Sequence, residues 1–160
     1  PLPHPALVAA DWSDRFEVTV AKDPGSAEKV ARLLFARMPY WVVPLLALRN
    51  FLVLPLGLKG ASAENTSSKK SAEQMVGFFP IVINSPQQAV LGFDDRHLDF
   101  RVVVDVLPEA QGQFRVGVQT VIRRHNFAGR LYLFVITPFH RIIVKASMAR
   151  LMRAEPSLHD

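Results

Sequence analysis

The densest cluster of side chains able to do chemistry is Asp94, Asp95, His97 and Asp99. A D-D-x-H-x-D string offers carboxylate oxygens and an imidazole, the donors a divalent cation can use. Asp94-Asp95 is equally ordinary turn chemistry. On a strand, His97, Asp99, Arg101 and Asp105 share one face, opposite Leu98, Phe100, Val102, Val104 and Val106. With the apolar face inward, the charged set points to solvent and pairs with itself. Surface ion pairing is the favoured reading, and no metal is expected.

His140 is the other candidate for proton transfer, because imidazole titrates near neutral pH. It directly precedes Arg141 and has no carboxylate partner visible in the sequence. A histidine satisfied by a neighbouring carbonyl at a helix start explains it as well, and better. Tyr40, Trp41 and Tyr132 carry polar tips on large apolar bodies and could orient a ligand, although most such aromatics are core. Arg49 is a lone charge inside an apolar run. It must reach solvent, pair, or meet an anionic group. Nucleophile-elbow, phosphate-loop and dinucleotide fingerprints are missing, and the glycines do not fall at phosphate-cradling spacings.

Composition bounds the rest. The chain has 160 residues, 49% hydrophobic and 21% charged, enough for one domain with its own core. It has no cysteine, which excludes disulfides, thiolate metal sites and cysteine nucleophiles. The formal charge of +5 permits anionic partners. The basic residues are scattered, however, with no aromatic interleaving and no recognition helix, so nucleic acid is not expected. The N-terminal residues lack a signal-peptide pattern. Met38 to Leu58 imitates a membrane span, but Pro39, Pro44, Pro55 and the pair Arg49-Asn50 favour buried core helices of a soluble, cytoplasmic protein. No cofactor is expected.

The elements that would position these residues follow from periodicity. Residues 1–13 read as an irregular lead-in. Arg15 to Ala21 alternates as a strand with one buried side. Ser26 is a good N-cap for a helix from Ala27 to Met38, with Val30, Leu33, Leu34 and Met38 on one stripe. A second helix, Trp41 to Leu54, is apolar nearly all round. Gly60 to Ser71 is small, polar and turn-rich, and reads as a mobile loop. Strands follow at Phe78 to Asn84, Gln88 to Phe93, His97 to Val106, and from Phe114 to Ile122. Asn126 to Gly129 reads as a turn, and Arg130 to Ile136 as a sixth strand covered on both faces. Thr137 as N-cap and Pro138 at the first helical position then start a final helix running to Ala154. Gly92 and Gly117, inside strands, are expected to mark bulges or bends.

An antiparallel sheet of about six strands, with two helices after the first strand and a long helix last, is an α+β order. It resembles the helix-grip fold of the START and Bet v 1 superfamily. Three stretches also resemble the bacterial domain-of-unknown-function family 2867: Leu48-Arg49-Asn50 through Gly57-Leu58-Lys59, Leu91 through Phe100, and Pro138-Phe139-His140-Arg141. That family carries no assigned activity. The resemblance implies the fold, one domain over residues 1–160, and from the wider superfamily a cavity for an apolar or amphipathic small molecule.

Three functions remain open from this reading. The first is a binding module for a hydrophobic or amphipathic small molecule, with Trp41, Arg49, Phe100, Tyr132 and His140 as ligand contacts. The second is a cyclase- or hydrolase-like enzyme using His140 or Asp99 as acid or base, which needs those residues to face the cavity. The third is a peripheral membrane or partner-binding protein using Trp41-Val42-Val43 and nearby cations. A homodimer is compatible with each.

Overall fold

The computed structural model describes residues 4–36, 74–77, 79–94 and 98–153. Strand β1 spans Trp12–Val20 and helix α1 spans Ala27–Ala36. The strands β2 (Met75–Val76), β3 (Phe79–Asn84), β4 (Gln88–Asp94), β5 (Leu98–Pro108) and β6 (Phe114–Arg124) follow. The last helix, α2, spans Phe127–Arg153. The six strands form one antiparallel sheet in the order β1-β6-β5-β4-β3-β2. The expected second helix at Trp41 to Leu54, the loop at Gly60 to Ser71, and the residues Asp95 and His97 lie outside the described residues.

Ser26 caps α1 as its side-chain type predicts, with its Oγ accepting the Lys29 backbone N–H at 3.2 Å. Glu28 in the first turn accepts from Arg32 and from Asn84, which ties the helix to the end of β3. The arginine, and then the asparagine, hold its carboxyl below the usual range. Ala27, Val30, Ala31 and Leu34 bury against the sheet, whereas Leu33, expected on that stripe, is exposed.

The principal correction concerns the chain after β6. Arg130 to Ile136, expected as a strand, is helical, and α2 starts three residues earlier than that segment. A short run of apolar residues fits either period, so the cap decides. The Asn126 side-chain oxygen accepts the Gly129 N–H at 3.1 Å, the geometry of an N-cap rather than of a hairpin turn. Thr137 and Pro138 therefore sit mid-helix. Pro138 has no N–H for the Phe134 carbonyl, and the Thr137 hydroxyl donates to the Leu133 carbonyl at 2.6 Å. The sheet still has six strands, because Met75–Val76 adds a short edge strand that carries too little sequence to read.

A second correction concerns the outer face of the sheet. Residues 4–10 are irregular, as expected, but they also cover the sheet: Ala6, Leu7 and Ala10 pack on Val90, Val103 and Val121. The centre of the sheet is thus covered on both sides. Asp99 and Asp105, expected at an exposed surface, are 9% and 6% exposed.

Candidate functional site

The helix-bearing face of the sheet is organised in transverse rows. Phe93 pairs with Phe100, Phe100 with Ile122, and Ile122 with Trp12, so one row crosses four strands. Its aromatic end is extended by Phe79 of β3, whose ring stacks on Phe93 at 6.2 Å between centroids and lies 5.4 Å from Phe100. Phe35 of α1 meets Phe79 edge-on at 5.8 Å. These four phenylalanines come from four elements, and all are only half-buried. Phe100 also belongs to a second cluster with Leu98, Ile122 and Leu133, against which Trp12 and Tyr132 pack.

Helix α2 covers the β1 and β6 end of these rows. Its Leu133 sits on the first row. His140 sits on the second, where Nε2 lies 2.9 Å from the Thr120 hydroxyl and the ring meets Trp12 edge-on at 6.4 Å. Arg141 Nε donates to Asp14 at 2.9 Å, and Lys145 lies 5.9 Å over the Phe16 ring. Val144, Met148 and Leu151 then join the main core with α1. Burial pushes the His140 imidazole below its ordinary value. Asp14 opposes that shift and Arg141 adds to it. His140 is accordingly a neutral hydrogen-bonding group at pH 7, suited to orienting a polar atom rather than carrying charge.

The outer face carries ion pairs instead. Arg15 reaches Asp105 with both terminal nitrogens, at 2.8 and 2.9 Å, and its Nε pairs with Glu17 at 2.7 Å. Arg101 folds back to Asp94 at 2.7 Å and to the Phe93 and Phe100 carbonyls. His125 Nε2 meets Asp99 at 2.9 Å. Two strand glycines make room for this layer. The register is regular at both, so of the bulge or bend expected there neither is a bulge; the register shift lies between Ile81 and Ile83. Gly92 has φ +153°, and a Cβ there would fall 2.0 Å from the Phe100 carbonyl oxygen. At Gly117 the added Cβ would strike Arg15 and Asp105.

The family model described as "Protein of unknown function (DUF2867)" matches residues 6–147. The chain belongs to that family. No curated protein matches it. The DUF2867 span takes in the whole sheet, α1 and most of α2, so both faces described above lie within it.

Of the residues expected to contact a ligand in this DUF2867 protein, the structure brings three to one seam. Phe100, Tyr132 and His140 line the junction of α2 with the sheet, linked through Trp12. Trp41 and Arg49 lie outside the described residues, as does Tyr40. Asp99 is on the opposite side of the sheet from His140, as the alternation of β5 requires, so the two cannot act on one substrate. The Asp94 and Asp99 carboxylates are engaged by Arg101 and His125, and no group of three potential metal ligands occurs among the described residues. His125 was not singled out in the sequence. The usable signal was register: Asp99 stands opposite Arg123, and His125 follows two residues later on the same face.

Proposed function

We propose that this protein binds a hydrophobic or amphipathic small molecule between the sheet and its helices, as helix-grip proteins of the START and Bet v 1 type do. The single observation behind this reading is the aromatic row Phe79, Phe93 and Phe100. These rings lie on the helix-bearing face, where apolar side chains are normally covered, yet they remain half-buried although Phe35 of α1 meets Phe79 and Leu133 of α2 clusters with Phe100. Binding sites for such ligands are mostly apolar with a few convergent polar groups. Here Tyr132 and the neutral His140 stand at the end of the row. Burial of ligand hydrocarbon would supply the driving force, at about 25 cal/mol per Å². Trp41 and Arg49 complete the proposed contacts, with Arg49 facing an anionic group of the ligand. The reading takes the chain as one cytoplasmic domain that needs no cofactor.

Displacement of a polarity-sensitive dye tests it. A dye that brightens on binding and is displaced stoichiometrically by fatty acids or fused-ring aromatics supports the reading, provided that Phe100→Ala weakens both. Dye binding unchanged by Phe100→Ala, or absent altogether, contradicts it.

A further inference from the structure

Helix α2 has two apolar faces, and the sheet uses only one of them. Leu133, His140, Val144, Met148 and Leu151 turn toward the sheet and α1. On the opposite side Phe127 is 78% exposed, Leu131 50%, Phe134 79% and Ile142 58%, with Val135 and Phe139 exposed between them. At the angular step of an α-helix these six fall within one arc of about 140°. With 150–250 Å² per aromatic side chain, the three phenylalanines alone leave roughly 300–500 Å² in water. That already matches the largest apolar patch of an ordinary monomer.

Charge selects the partner. From Phe127 to Arg153 the helix carries Arg130, Arg141, Lys145, Arg150 and Arg153, and not one acidic residue. Arg124 lies just before it, on the helix-bearing face of the sheet. Asp14 holds Arg141 and Asp11 holds Arg124, but no described carboxylate pairs with Arg130 or Arg153. A second copy of this helix would press cations against cations across the apolar contact. An anionic lipid surface accommodates both features, since acyl chains take up the rings and head groups meet the cations.

We propose that α2 is a membrane-docking helix. It lies in the plane of an anionic phospholipid surface with Phe127, Leu131, Phe134, Val135, Phe139 and Ile142 inserted, while its other face stays on the sheet. Residues Gly129–Arg153 are long and apolar enough to cross a bilayer. Crossing would, however, strip the Arg141–Asp14 pair and the His140–Thr120 contact from the sheet and leave Arg141 and Lys145 in hydrocarbon. The helix therefore lies on the membrane. This surface faces away from the Phe100 row, so the proposal stands independently of small-molecule binding.

Flotation with phosphatidylcholine vesicles, with and without a third of phosphatidylglycerol, tests it. The protein is expected to float only with the anionic vesicles, and less as salt rises. Phe134→Ser should lower the partition constant roughly tenfold or more, and Arg130→Ala roughly fivefold. Failure of the wild type to float, or flotation of Phe134→Ser equal to wild type, overturns the proposal. Sedimentation velocity and thermal melts of the same proteins identify the other occupants. A dimer that Phe134→Ser dissolves, without flotation, gives the face to a second copy. A melting point lowered by several degrees in Phe134→Ser gives it to a cover from the protein's own chain. Either result overturns membrane docking.

Discussion

The guanidinium of Arg15 passes over Gly117 to grip the carboxylate of Asp105, joining β1 to β5 across the strand between them. The contact is two-point, at 2.8 and 2.9 Å, and the Asp105 side chain is 9% exposed. A glycine at 117 is what makes it geometrically available, since an added Cβ would lie 2.4 Å from an Arg15 nitrogen and 2.7 Å from an Asp105 oxygen. Gly117→Ala is therefore expected to displace the pair and destabilise the fold by about 1–3 kcal/mol, read from urea unfolding. An unchanged midpoint would contradict the requirement for glycine at 117, the Arg15 side chain then moving aside without cost.

Asp105→Ala removes the acceptor and leaves Arg15, among the described residues, with Glu17 and a long contact to Gln119 at 3.4 Å. Because the lost carboxylate is buried but the arginine is a third exposed, the expected cost is about 1–3 kcal/mol rather than that of a fully buried pair. The double variant Arg15→Ala with Asp105→Ala should be less destabilised than the sum of its single changes.

His140 makes stability depend on pH. Its folded imidazole is held below the ordinary value of 6.5, first by burial. The unfolded chain then binds the proton at higher pH than the folded one. Stability is complete above 6.5, falls as pH drops through it, and levels off once the folded imidazole also protonates. Burial likewise lowers the pKa of His4, so the test is a difference. Relative to His140→Leu, the wild type should lose stability between about pH 7 and pH 5 and hold a constant offset above that range. Parallel curves across the range would contradict the burial of this ring.

Asn126 decides that the residues after β6 become helix. Asn126→Ala should cost about 1 kcal/mol, with loss of helical ellipticity confined to the first turn. A loss of β signal instead would restore the hairpin expected from the sequence.

Period-two alternation was the most legible signal. In β5 the inward set Leu98, Phe100, Val102, Val104 and Val106 and the outward set Asp99, Arg101 and Asp105 could be read directly. Ser26 announced α1 in the same way. The stretch Arg130 to Ile136 could not be resolved because its residues are apolar on every face. It is so because α2 meets the sheet on one side and leaves apolar residues exposed on the other, which erases the helical stripe. Covering of the outer face by Ala6, Leu7 and Ala10 was equally hidden, since a short irregular segment has no period to betray what it packs on. Phe100, Tyr132 and His140 could be named singly. Their meeting at one seam depended on where α2 begins, and the Asp99–His125 pair depended on cross-strand register.

The most direct test of small-molecule binding is native mass spectrometry of the protein purified without detergent, followed by solvent extraction of whatever it carries. A stoichiometric adduct of lipid or aromatic mass, reduced in Phe100→Ala, is the predicted result. A protein that flies empty and stays empty after incubation with a diverse set of apolar compounds would contradict it.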